Sequence, residues 1–221
     1  MRKNDANARA LAAGFSGLYV ILDRTAAQDR PLEAILDAAI AGGCGMIQLR
    51  EKEWPSGTLL PLARRLRDRC RAAGVPFIVN DRIDLALAVE ADGVHLGQDD
   101  LPAVAARPLL RAGMIMGIST HSVPQARLAQ QDGADYVAIG AMYPTGTKPS
   151  FELVGPALVR QLRGEVQVPL IGIGGITVDT VGDVIRAGAD GVAVISAVCA
   201  AADPEDATRR LVGATRAARA P

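Results

Sequence analysis

The stretch Met46-Ile47-Gln48-Leu49-Arg50-Glu51-Lys52 begins as a buried strand and ends in charge. Side chains alternate between the two faces of a strand, so Gln48, Arg50 and Lys52 share one face and Ile47 and Leu49 the other. A strand whose polar, cationic face lies toward its carboxyl end is poor material for a plain core. It suits the mouth of a parallel sheet or barrel, where it can hold an anion.

Strand-like runs alternate with helical patterns on both sides of this stretch. The pattern predicts strands at 18–22, 46–50, 77–80, 93–96, 114–118, 136–140, 170–174 and 191–195. Most are short, rich in Val and Ile and nearly continuously apolar, as buried parallel strands are. Helices are predicted at 32–41, 58–73, 83–90, 103–107, 123–131, 156–162, 178–187 and 205–218. Pro31, Pro61, Pro124 and Pro156 read as first-turn prolines. Gly42, Gly74, Gly133 and Gly188 read as helix stops. A weak repeat, Ala-Asp-Gly-Val at 91 and 189 and Ala-Asp-Tyr-Val at 134, leads into alternate strands. Eight strands alternating with eight helices predict a single-domain (β/α)₈ TIM barrel over 17–221, preceded by an N-terminal extension, 1–16. An open doubly wound sheet would want a Gly-rich turn after the first strand, and Leu22-Asp23-Arg24-Thr25 offers none.

Lys+Arg and Asp+Glu both number 24 in 221 residues, so no global basic field argues for nucleic acid. Aromatic residues are only 3% of the chain, which leaves the core to Ala, Val, Leu and Ile. Cys44, Cys70 and Cys199 have no metal-like spacing and read as reduced packing residues. Arg2 and Lys3 precede an apolar stretch at 10–22 that imitates a signal peptide, but the stretch is shorter than the ~20 residues a bilayer span needs. The expectation is a soluble, cytoplasmic protein without a membrane or nucleic-acid partner; homo-oligomerisation stays open.

Barrel chemistry is built at the carboxyl ends of the strands. Those ends carry Gln48, Arg50 and Lys52; Asn80 and Asp81; Gln98, Asp99 and Asp100; Ser119 and His121; Thr145, Thr147 and Lys148; Gly174 and Gly175; and Ile195 and Ser196. Gly174-Gly175 beside Ser196 fits a phosphate cradle, since backbone N–H groups approach a phosphate only where no Cβ intrudes; close packing would also explain the pair. Asp81 with one of Asp99-Asp100 would suffice for Mg²⁺, which takes one or two carboxylates plus substrate phosphates. Helix capping explains the same aspartates equally well. Thr145-Gly-Thr-Lys148 reads as a hydroxyl-rich loop ending in a cation or as a solvated turn, and His95 as a core hydrogen-bonding residue. There is no Ser-His-Asp order, paired Cys ligand or Walker motif.

Taken together, Gln48-Leu-Arg-Glu-Lys52, Asn80-Asp81, Gly93-Val-His-Leu-Gly-Gln-Asp-Asp100, Gly117-Ile-Ser119, Tyr143-Pro-Thr-Gly-Thr-Lys148, Gly172-Ile-Gly-Gly-Ile176 and Ile195-Ser196 resemble the thiamine-phosphate synthase family, from Gly17 to about Leu211. Enzymes of that family join hydroxymethylpyrimidine diphosphate to thiazole phosphate with Mg²⁺, releasing pyrophosphate. The resemblance implies that Gln48, Arg50, Glu51, Lys52, Asn80, Ser119 and Lys148 hold the pyrimidine diphosphate, with Arg50, Lys52, Ser119 and Lys148 catalytic. It implies Asp81 and Asp100 for Mg²⁺, and Thr145, Thr147, Gly175, Ile195 and Ser196 for the thiazole phosphate. Asp99 stands where the family commonly has Glu. The implied reaction is dissociative, so the site needs cations on the leaving group rather than a protein nucleophile. Two alternatives differ in kind. A thiazole tautomerase would use a His near the end of the fifth strand and lack the metal and diphosphate set. A silent phosphate-binding regulator would lack Arg50, Asp81, Asp100 or Lys148, and none is missing.

Overall fold

The computed structural model describes residues 17–28, 30–146 and 153–220, so the N-terminal extension lies outside the described residues. Eight parallel strands close into a barrel in sequence order: β1 Leu18–Asp23, β2 Met46–Arg50, β3 Phe77–Asn80, β4 Gly93–Leu96, β5 Ile115–Thr120, β6 Tyr136–Ile139, β7 Leu170–Ile173 and β8 Gly191–Val194. Helices lie between them: α1 Arg24–Ala27, α2 Leu32–Ala41, α3 Ser56–Ala73, α4 Ile83–Ala88, α5 Ala103–Ala106, α6 Val123–Gln131, α7 Gly155–Arg163, α8 Val181–Arg186, α9 Ser196–Cys199 and α10 Pro204–Arg219. This is the expected single (β/α)₈ barrel. Among the described residues, no helix is long and apolar enough to cross a membrane.

The differences from expectation are local. Strand β5 runs on to Thr120 because Ser119 and Thr120 pair with Ala138 and Ile139. Helix α3 starts at Ser56, which puts Pro61 inside the helix rather than in its first turn. Helix α8 starts late because Thr180 Oγ1 accepts the Thr177 N–H (2.9 Å), forming a turn where a helix was expected. The four-residue helices α1 and α9 escape sequence reading because one turn carries no periodicity.

The Ala-Asp repeat has a physical cause. Asp92 donates its N–H to the Phe77 carbonyl (2.9 Å) and accepts the Phe77 N–H on its own carboxylate (2.8 Å). Asp135 makes the same two-point clasp with Met116, at 2.8 Å both ways. Asp190 makes it with Leu170, again at 2.8 Å both ways. Each aspartate precedes an even strand and locks it to the odd strand before it, at the amino end of the barrel. Arg107 and Arg163 support two of the clasps by pairing with Asp135 and Asp190.

Alternation along the strands builds two apolar layers. Leu18, Val20, Leu22, Ile47, Leu49 and Val79 face the helices. Tyr19, Ile21, Met46, Ile78, Ile115, Tyr136, Ile171 and Ala193 form a second cluster inside the barrel. Cys44, Cys70 and Cys199 are buried and unbridged, and burial pushes their thiols up to about 12, 12 and 11. Gly117 decides the fit of the inner layer, because a Cβ there would fall on the Tyr136 ring. The Tyr136 ring is fully buried and has nowhere to retreat. Overpacking a core typically costs about 1–3 kcal/mol. Gly117→Ala should therefore lower the unfolding free energy by that amount, read as a lower urea midpoint at unchanged m-value; an unshifted midpoint would refute the packing argument.

Candidate active site

The opening stretch lies where its alternation places it. Ile47 and Leu49 are buried against the helices, while Gln48 and Arg50 face the barrel interior. The Gln48 side chain is fully buried and donates to Tyr19 Oη (2.6 Å). The Arg50 guanidinium is gripped by the Asp23 carboxylate, whose other oxygen accepts the Ala26 N–H and caps α1. One aspartate thus fixes both the direction of Arg50 and the start of the first βα loop. Asp23 escapes sequence reading as a site residue, because its partner stands on the next strand and only the β1–β2 register sets the two opposite each other.

Lys52 extends from the same edge to Asp81, with Nζ 3.2 Å from the carboxylate. Asp81 holds a left-handed backbone, φ 61°, which a non-glycine residue adopts at a cost. Burial raises the Asp81 carboxyl above the usual range, and the neighbouring Asp100 carboxylate raises it further against the opposing pull of Lys52. Neither aspartate caps a helix: α4 and α5 have Arg82 and Pro102 at their caps, without side-chain bonds. Asp100 instead accepts the Gly97 N–H (2.6 Å), which holds its carboxylate over the end of β4. The capping alternative is thereby removed, and two like-charged groups are left facing each other. A divalent cation with oxygen ligands fits that donor pair.

Other expected residues are distributed as follows. Asn80 ends β3 in the barrel interior and is nearly buried. Ser119, on the inner face of β5, contacts His95 Nε2 through its hydroxyl (2.9 Å) and gives its carbonyl to Gln98 (2.7 Å). His121 is tied to the backbone, with Nδ1 2.5 Å from the Gly140 carbonyl. Thr145 is half-buried after β6, Ile195 half-buried and Ser196 exposed at the start of α9. Thr147 and Lys148 lie outside the described residues. Gly175, at φ 64°, passes beneath the β6 loop, and a Cβ there would meet the Pro144 carbonyl at 2.5 Å. Close packing is therefore sufficient reason for that glycine, whatever it also binds.

Glu51 is occupied in the protein itself. Its carboxylate accepts from Arg24 Nε (2.7 Å) and from the backbone N–H groups of Glu53 (2.7 Å) and Trp54 (3.3 Å). The Arg24 guanidinium also lies 5.2 Å over the Trp54 ring. Glu51 thus ties down the loop that carries Lys52.

With this geometry in place, the comparisons identify the family. A family model described as thiamine monophosphate synthase matches residues 18–198. A thiamine-phosphate synthase from Moorella thermoacetica is 49% identical over 195 residues, covering 88% of this chain and 93% of that protein. The chain belongs to the thiamine-phosphate synthase family. Another synthase, from Roseiflexus castenholzii, is also 49% identical, over 88% of this chain and 86% of its own length. The barrel is similar to the solved thiamine phosphate pyrophosphorylase from Pyrococcus furiosus, with TM-score 0.84 and 36% identity over 92% of this chain and 96% of that one.

Within this synthase fold the Glu51 clip makes a pH-dependent prediction. Burial would raise the Glu51 carboxyl, but the Glu53 N–H and the Arg24 guanidinium outweigh it and hold the group below its usual 4.5. A lowered carboxyl stabilises the fold above its unfolded pKa and loses that contribution as pH falls through the folded value. Glu51→Gln should therefore lower the urea midpoint at pH 7, and its deficit against wild type should shrink as pH falls below about 4.5. A deficit of equal size at both ends would argue against the clip.

Proposed function

We propose that the rim of this barrel binds a pyrimidine diphosphate and a thiazole phosphate side by side and joins them. The chain is a thiamine-phosphate synthase, a transferase of thiamine biosynthesis. What supports the finer reading is one juxtaposition: the paired carboxylates Asp81 and Asp100 beside the cation Lys52, on a rim that also carries Arg50 held by Asp23. A diphosphate with its bound divalent cation complements that set, anion to cation and cation to anion.

In this reading the carbon–oxygen bond between the pyrimidine methylene and the diphosphate breaks, and its electron pair leaves on the diphosphate. The thiazole nitrogen then donates its lone pair to the methylene carbon, forming the new carbon–nitrogen bond. Arg50, Lys52, Ser119 and Lys148 act on the leaving group, whose charge grows as the bond breaks. Asp23 holds Arg50 in place beforehand, so little reorganisation is needed at that moment. Gln48 and Asn80 orient the pyrimidine end, and Glu51 acts by fixing the loop of Lys52. Thr145, Thr147, Gly175, Ile195 and Ser196 hold the thiazole phosphate, and holding both substrates together supplies much of the remaining rate. Asp81 and Asp100 would hold Mg²⁺, which when bound supplies Lewis-acid neutralisation of the departing diphosphate. No protein nucleophile takes part, consistent with the three buried thiols and their raised pKa values.

Purified protein mixed with the two substrates and Mg²⁺ should yield thiamine phosphate and pyrophosphate, and no product would sink the reading. Arg50→Ala should lose about 10²–10³ in rate, roughly 2.7–4 kcal/mol, as one transition-state contact commonly does. Arg50→Lys should recover only part, because a point charge cannot make the forked contact.

The metal makes a separate prediction. Mg²⁺ should raise the melting temperature of wild type and leave that of Asp81→Asn unmoved, a readout independent of turnover. Under one assay, Asp100→Ala should be nearly inactive. His121→Ala should lose roughly tenfold, about 1.4 kcal/mol, since its ring is engaged by a carbonyl. The reverse order would favour tautomerase chemistry.

A further inference from the structure

The barrel interior carries an unbroken run of hydrogen bonds that strand pairing does not require. Gln48 Nε2 donates to Tyr19 Oη (2.6 Å), and Tyr19 Oη is 3.1 Å from Tyr136 Oη. Tyr136 Oη is 2.9 Å from His95 Nδ1, and His95 Nε2 is 2.9 Å from Ser119 Oγ. Tyr19, Tyr136 and His95 are buried, the two phenol rings meet edge to face, and the imidazole stacks on Tyr136. Phenylalanine would fill either tyrosine's space. Burying two phenols and an imidazole is favourable only where each polar atom is satisfied, and this run satisfies them.

Each hydroxyl has a single proton, and that gives the run a direction. Tyr19 accepts from Gln48 Nε2, and among the described residues the acceptor within reach of its own buried proton is Tyr136 Oη, so Tyr19 donates to Tyr136. Tyr136 then donates to His95 Nδ1. A neutral imidazole that accepts at Nδ1 carries its proton on Nε2 and donates it to Ser119. Ser119 accepts from within, which leaves its own proton to point outward at the rim. An anionic leaving group needs a donor there, not an acceptor.

We propose that Tyr19, Tyr136 and His95 are positioning residues, a relay through which the orientation of the Gln48 amide sets Ser119 as a hydrogen-bond donor to the diphosphate. The inference rests on the proposed roles of Gln48 and Ser119 at the pyrimidine diphosphate. The relay acts on orientation alone, and no proton leaves the protein.

Two measurements test it. A long-range ¹H–¹⁵N correlation spectrum of the wild-type protein should find His95 neutral with its proton on Nε2; a proton on Nδ1, or on both nitrogens, would overturn the direction derived above. In kinetics, Tyr136→Phe should reduce kcat/KM for the pyrimidine diphosphate about tenfold, some 1.4 kcal/mol, with KM for the thiazole phosphate unchanged. Combined with Ser119→Ala it should cost no more than Ser119→Ala alone, because the phenol acts through that hydroxyl. Losses that multiply, or a Tyr136→Phe enzyme equal to wild type, would refute the relay. Should Tyr136→Phe fail to fold, the wild-type tautomer still decides. A wild-type protein that makes no thiamine phosphate would refute the proposed function, while the tautomer would report on the relay regardless.

Discussion

Short parallel strands have no hairpin to fix their register, and every part of this barrel depends on that register being right. A slip of one residue would send Gln48 and Arg50 into the helix layer and Ile47 and Leu49 into the interior. Three aspartates hold the register at the amino end. Asp92, Asp135 and Asp190 each bind both the N–H and the carbonyl of a single residue on the neighbouring strand. A two-point clasp admits one alignment, because a shift by one residue presents it with groups turned the other way. With the lower ends locked, the upper ends are free to differ in sequence and to carry chemistry.

The upper rim follows a second rule, that charges are set in opposed pairs. Asp23 faces Arg50, Lys52 faces Asp81, and Asp100 lies beside Asp81. A cation without its acid would point wherever solvent drew it, and an acid without its cation would be costly at this depth. The pairing keeps the rim ordered without substrate. It leaves one imbalance, the two neighbouring carboxylates, at the place where the proposed metal would enter.

How far all this was legible in the sequence depended on distance along the chain. Alternation in Met46–Arg50 placed Gln48 and Arg50 on the interior face, because the period of a strand is local information. The Ala-Asp repeat was visible as a pattern, but its purpose was hidden, since each aspartate's partner stands on another strand. Asp23 and Arg50 are 27 residues apart, Tyr136 and His95 41, and Tyr19 and Tyr136 117. Nothing in one sequence indicates that such residues meet; closure of the barrel brings them together. In the sequence, capping and metal binding explain Asp81 and Asp100 equally well, and the capless starts of α4 and α5 decide against capping. Gly175 remained ambiguous for the opposite reason, because one glycine satisfies both packing and a phosphate.

The paired phenols of Tyr19 and Tyr136 divide the barrel along its axis. Met46, Ile78, Ile115 and Ile171 share their cluster, and beyond the phenol oxygens lie Gln48, His95 and Ser119. The rim therefore rests on a layer of low permittivity, with the cavity at the amino end, which reaches Met46, Tyr136 and Ile171, on the far side of it. Field lines from Arg50, Asp23 and Asp100 are little screened from below and spread mainly upward, toward whatever occupies the mouth. The hydrocarbon at the centre of the barrel, which touches no substrate, thus sets how strongly each charge on the rim is felt.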